Sequence, residues 1–149
     1  MRAVVQRVAN ASVTVGEETV GAVGAGLMVL IGVSKEDTDK DLKYIVEKVM
    51  NLRVFDDENG VMNRSVLDVG GSILAVSQFT LYGDARGGRR PSYIRAASPE
   101  PANELYERAV AAWRAQGIHV ETGRFRTEMK VSLVNDGPVT ILLDSEKAF

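Results

Sequence analysis

Three polar side chains close an otherwise apolar run in "AVSQFTLYGD": Ser77, Gln78 and Thr80, with Phe79 among them. Two hydroxyls and an amide at the end of a buried strand are material for a pocket wall, or else simple partners for neighbouring backbone groups. A second cluster follows in "RGGRRPSYIR", where Arg86, Arg89, Arg90 and Arg95 surround Tyr93. Guanidinium forks suit phosphates and a tyrosine ring suits a splayed base, so this loop is either a contact for a single-stranded RNA end or a solvated charged loop. The third feature is "SLVNDGPVTILLD", two strand-like runs broken by Asn135-Asp136-Gly137-Pro138. Asn-Asp-Gly is a strong turn signal, but a proline directly after it removes a backbone donor where pairing should resume.

What is missing narrows the chemistry further. There is no cysteine and one histidine, His119, so thiol catalysis, disulfides and a histidine-built metal site are excluded or disfavoured. His119 falls just after a helix stop, with no serine in a nucleophile-elbow context, and no Walker loop, dinucleotide fingerprint or HExxH motif occurs. "DTDKD" lacks the glycine and distal glutamate of a calcium loop and reads as a solvated helix start. An enzyme with this inventory works on an already activated bond, through backbone donors and substrate positioning, with no metal or cofactor.

The elements that must position these residues are legible by period. "RAVVQRVANASVTV" and "ETVGAVGAGLMVLIGV" are β-rich, the second apolar on both faces and so a buried strand. In "DTDKDLKYIVEKVMNL", Leu42, Ile45, Val46, Val49 and Met50 recur at helical spacing. "RVFDDENGVMN" is a strand, an Asn-Gly turn and a return strand, and "GGSILAVSQFTLYG" is one further strand, which would put Gln78 and Thr80 on one face. Ser98, Pro99 and Gly117 bracket a second helix whose stripe, Trp113 included, belongs to the core. Three strand candidates, "IHVETGRF", "EMKVSLV" and "VTILLD", finish the chain. The expected architecture is a mixed α/β fold: a mostly antiparallel sheet or barrel-like roll with two covering helices, one domain over residues 1–149. A formal net charge of −2 gives no overall attraction for nucleic acid, and no apolar run is long enough for a signal peptide or a membrane span, so a soluble cytoplasmic protein is expected.

Taken together, "SQFTL" and "NDGPVT" resemble the D-aminoacyl-tRNA deacylases, and the likeness runs through "QRVANASVTV", "GAGLMVLIGV", "RRPSY", "TGRF" and "MKVSLVNDGPVT" in order. The resemblance implies a homodimer in which a cis Gly137-Pro138 motif enters the partner subunit's active site. It implies hydrolysis of the ester joining a D-amino acid, or mischarged glycine, to tRNA, a proofreading step in translation quality control. Ser77, Gln78, Phe79 and Thr80 match the family's catalytic pocket motif. Thr80 matches a threonine once proposed as nucleophile, in a family whose chemistry is now attributed to the tRNA terminal 2′-hydroxyl. Arg7 matches an arginine that holds the Gly-Pro orientation, and Met129 a pocket methionine. Arg126-Thr127-Glu128 departs from the small residues frequent after "TGRF", which bears on the adenosine side of the pocket and on glycine acceptance. Two other readings of the same residues are a non-catalytic RNA-end binding module and a structural homodimer with the Gly-Pro segment as an interface plug.

Overall fold

The buried residues of the first strand change parity twice, once by passing to the opposite face and once at a bulge. In the computed structural model, which describes residues 1–149, β1 (Arg2–Val15) buries Ala3 and Val5, then Val8, then Ala11 and Val13. A regular strand alternates faces: Ala3 and Val5 pack on one face and Val8 on the other, in unbroken register with Gly26–Gly32, whereas Val8 and Ala11 share a face only because the strand is irregular between them. The pairing with β8 (Lys130–Asp144) is interrupted between Gln6 and Val8 and between Val8 and Asn10.

β8 runs antiparallel to β1 on both sides of Asn135-Asp136-Gly137-Pro138, with Gln6 opposite Thr140 and Val8 opposite Asn135. The segment therefore does not reverse the chain. It is an excursion of Asp136–Val139 from one long strand, facing the single residue Arg7. The last two expected strands are thus one: turn propensity marks where extended pairing stops, and β1 is long enough to pair with both flanks.

The other edge of β1 is shared by β3 (Gly26–Gly32), paired through Arg2–Val8, and β2 (Glu18–Val23), paired through Ala11–Val15. "ETVGAVGAGLMVLIGV" is accordingly two strands, and its second half is the strand buried on both faces. Next come β6 (Ser72–Ser77), parallel to β3, and β7 (Val120–Thr122), parallel to β6. Parallel neighbours need crossovers, and these carry α1 (Asp39–Asn51) and α3 (Pro99–Ala115). The sheet nearly closes on itself because β2 reaches β7: a Cβ on Gly21 would collide with the Thr122 carbonyl oxygen. A mixed α/β fold with a barrel-like, mostly antiparallel sheet is what the sequence led us to expect.

Two small elements interrupt the long connection. β4 (Phe55–Asp56) and β5 (Met62–Arg64) form the expected hairpin. The third helix, α2 (Val66–Val69), was not expected, although Ser65 and Asp68 form a reciprocal capping box and Gly70 ends it at φ 64°.

Alternation along β3 and β6 divides the core. Leu27, Val29, Ile31, Ile73 and Ala75 pack against α1 and α3 with Ile45, Val49 and Trp113, whereas Met28, Leu74 and Val76 face Val8, Ala11 and Val13 on the other side. Trp113 is a core residue, fully buried, with its indole N–H donating to the Val46 carbonyl at 3.1 Å. No helix is long and apolar enough to cross a membrane.

Candidate active site

β6 ends earlier than its apolar pattern suggests. After Ser77 the chain enters a 3-10 turn, Phe79–Tyr82, so strand alternation does not decide where Gln78, Phe79 and Thr80 point. The Gln78 N–H still donates to the Ile31 carbonyl at 2.7 Å, which pins the start of the turn to β3. Gln78 Nε2 donates to Thr80 Oγ1 at 3.0 Å, so the two share a face by the turn rather than by strand period. Phe79 and Thr80 open the turn, and the first amides of a helical turn have no partner within it.

These residues border a cleft of about 620 Å³ between the end of β6, the start of α3 and the segment before β8. Ser77, Gln78, Phe79 and Thr80 line one side, Met129, Phe125, Arg126 and Thr127 another, and Tyr93 lies at the rim. Met129 is held by contact with Gly123, where a Cβ would come within 2.6 Å of its sulfur. Phe79 is 57% exposed and meets Tyr93 edge-on, with ring centroids 5.1 Å apart. The mouth of the cleft thus presents an aromatic corner with open faces.

The lining contains no Asp, Glu, His, Lys or Cys. Burial pushes the nearby Tyr106 hydroxyl up to about 12, and it donates to the Ala75 carbonyl at 2.8 Å. Burial likewise raises Tyr82. Neither phenol is a base near neutral pH. No group of three or more His, Cys, Asp or Glu side chains is placed to hold a metal ion. Such a cleft offers amide and hydroxyl hydrogen bonds, aromatic faces and shape.

Gly137 and Pro138 do not line this cleft. They sit exposed at the tip of the excursion, joined by a cis peptide bond, with Gly137 at φ 132°. Arg7 braces its base: Nε donates to the Asp136 carbonyl at 3.0 Å and Nη1 to the Val54 carbonyl at 2.7 Å, with the Asp56 carboxylate 3.6 Å away. Arg7 stands on the same face of β1 as Ala3 and Val5, opposite Leu27, and its guanidinium is tolerated there because the Val54 and Asp136 carbonyls and the Asp56 carboxylate surround it.

Asn135 is a second brace that sequence reasoning missed. Its Nδ2 donates to the Arg7 carbonyl and to the Val139 carbonyl, both at 2.9 Å, tying the two ends of the excursion together. The signal is an asparagine amid strand formers, which Asn-Asp-Gly turn propensity masks. Asn135→Ala removes both bonds and is expected to cost about 1–3 kcal/mol. Urea unfolding checks the loss, and hydrogen exchange at the amides of Asp136, Gly137 and Val139 checks that it is concentrated there.

The arginine loop is only partly available. Arg86 is held in a two-pronged pair with Asp84, at 2.9 and 2.7 Å, and these bonds keep the Asp84 carboxyl well below the usual carboxylate range. Arg95 pairs with Glu146 at 2.8 Å. Arg89 and Arg90 are exposed and make no ion pair. Of the loop residues expected to meet RNA, only Tyr93 borders the cleft.

The family model described as D-Tyr-tRNA(Tyr) deacylase matches residues 4–144. Over 149 residues the chain is 64% identical to a Symbiobacterium thermophilum protein named D-aminoacyl-tRNA deacylase, covering all of this chain and 99% of that one. A Thermus aquaticus protein of the same name is 59% identical over 147 residues, 99% and 97% of the two chains. Among solved structures, one described as c-Myc DNA Unwinding Element Binding Protein superposes with a TM-score of 0.91 at 44% identity, covering 97% of this chain and 98% of that one. Another, of a probable eukaryotic D-amino acid tRNA deacylase, shares the fold with a TM-score of 0.81 at 19% identity over 95% and 97%. With both motifs in place and the match running nearly end to end, the chain belongs to the D-Tyr-tRNA(Tyr) deacylase family.

Proposed function

We propose that this chain hydrolyses the ester bond of D-aminoacyl-tRNA, releasing the free D-amino acid and tRNA, and acts as a cytoplasmic proofreading enzyme. The observation that carries the reading is the exposed, braced Gly137-Pro138 excursion, which lies outside its own cleft and so is free to serve another. β8 pairs with β1 alone and leaves its second edge without a strand partner. An open edge beside a rigid projection suits a second copy of the chain. In the homodimer so inferred, Gly137 and Pro138 of one protomer complete the cleft bordered by Ser77, Gln78, Phe79, Thr80 and Met129 of its partner.

The proposed chemistry follows from the lining. Water adds to the ester carbonyl, the Phe79 and Thr80 N–H groups meet the developing oxyanion, and the 3′-oxygen of the terminal ribose leaves with a proton relayed through its neighbouring 2′-hydroxyl. An aminoacyl ester is intrinsically labile, so positioning and oxyanion stabilisation suffice without a side-chain base. Backbone carbonyls of the inserted segment hold the substrate ammonium and fill the space that an L side chain needs. A D side chain points elsewhere and is not read, and glycine has nothing to exclude. Rejection by occupied space therefore tolerates many D-amino acids.

Release of many equivalents of D-tyrosine from D-tyrosyl-tRNA by substoichiometric protein is the expected result. Binding without turnover overturns the reading in favour of an RNA-end binding module, which the open Phe79–Tyr93 corner would also serve. Within the proposed mechanism, Thr80→Ala is expected to keep activity within about tenfold of wild type, the loss being the hydroxyl's contact with Gln78. Complete loss of turnover in a folded variant would make Thr80 the nucleophile instead.

A further inference from the structure

Arg126 is the only charged side chain that lines the cleft. It is exposed, and no acceptor or carboxylate in the chain engages its guanidinium. Its neighbours are occupied. Arg124 is neutralised by Glu18 at 3.3 Å, Phe125 stacks on Tyr106 with centroids 6.4 Å apart, and the Thr127 hydroxyl donates to the Arg124 carbonyl at 2.7 Å. Between these anchors Arg126 adopts φ 59°, a left-handed conformation that costs a non-glycine residue free energy. An unpaired cation thus borders the same cleft as the exposed Phe79–Tyr93 corner.

Resting on the reading of this cleft as the site for the aminoacylated tRNA end, the geometry points to Arg126 as a binding residue for the phosphodiester on the 5′ side of the terminal nucleoside. The aminoacyl ester and its ribose are neutral apart from the ammonium, so they give a rim guanidinium nothing to pair with. The first anion encountered outward along the RNA is that phosphodiester, and a guanidinium forks onto its two free oxygens. The aromatic corner of the same cleft offers stacking to that single-stranded end. Arg126 acts on affinity, not on the bond-breaking step.

The test compares two substrates that differ in the phosphate. In Arg126→Ala, KM for D-tyrosyl-tRNA should rise about tenfold with kcat within about twofold of wild type. Hydrolysis of 3′-O-D-tyrosyladenosine, which has no phosphate, should be unchanged. The slope of log kcat/KM against log salt for the tRNA substrate should become shallower by about 0.7, the increment for one phosphate contact on a single strand. Arg126→Gly removes the side chain and the left-handed penalty together, so it keeps the test open should the alanine variant fold poorly. Arg126→Lys should recover part of the KM effect. An unchanged KM for the tRNA, or an equal loss on both substrates, overturns the assignment. If wild-type protein hydrolyses neither ester, the proposed activity fails, and a separate readout remains: the Kd of an uncharged RNA trinucleotide CCA should rise in Arg126→Gly while that of adenosine does not.

Discussion

Gly137→Ala is expected to slow hydrolysis of D-tyrosyl-tRNA by about 100-fold or more, while leaving the chain folded. At φ 132° the position lies where side-chain-bearing residues rarely go. An added Cβ would meet Val139 Cγ2 at 2.7 Å and the Arg7 guanidinium at 2.9 Å. Arg7 also holds the Asp136 and Val54 carbonyls, so the methyl group cannot be accommodated without disturbing the brace that aims the excursion. The backbone carbonyls that are proposed to hold the substrate ammonium then shift, and a displacement of the order of 1 Å is enough for such a loss. The stability cost should stay near 1–3 kcal/mol, since the excursion is exposed and contributes little to the core. Gly24→Ala is the matching control, because a Cβ there meets nothing within 4 Å and the backbone is ordinary. Single-turnover deacylation, alongside urea unfolding, separates the two effects. Wild-type rates in Gly137→Ala would remove the excursion from the mechanism.

Trp113→Ala should have the opposite signature, a loss of about 3–5 kcal/mol of stability through a cavity rather than a local loss of chemistry. The indole is fully buried between α3, α1 and the sheet, and its removal also leaves the Val46 carbonyl without its donor. Many single domains have only about 5–15 kcal/mol to lose. The urea midpoint should fall sharply, with activity per folded molecule near wild type at low temperature. A loss below about 1 kcal/mol would mean that the helix layer is not held by this side chain.

Period carried much of this architecture into view. The stripes of α1 and α3, the doubly buried β3 and the Asn-Gly hairpin all follow from spacing and turn chemistry, because each depends on contacts close in sequence. The features that escaped depend on partners far along the chain. Asn135-Asp136-Gly137-Pro138 states that extended pairing stops, but only β1 passing behind both flanks makes it an excursion rather than a reversal. Strand pattern continued past Ser77, yet the chain tightened into a 3-10 turn because Phe79 and Thr80 face a cleft instead of a packed layer. α2 escaped because four residues leave no helical period, only a capping box and a stop. In the arginine loop, charge density alone could not reveal that Arg86 and Arg95 already have carboxylate partners.

The claim on which the rest depends is stereochemical: this chain cleaves the D ester and spares the L ester of one tRNA. Parallel time courses on D-tyrosyl-tRNA and L-tyrosyl-tRNA at equal concentrations of protein and substrate test it most directly. The expected result is hydrolysis of the D ester about 100-fold or more faster than the L ester, the latter at its spontaneous rate. Equal hydrolysis of both, or hydrolysis of neither, would contradict the account.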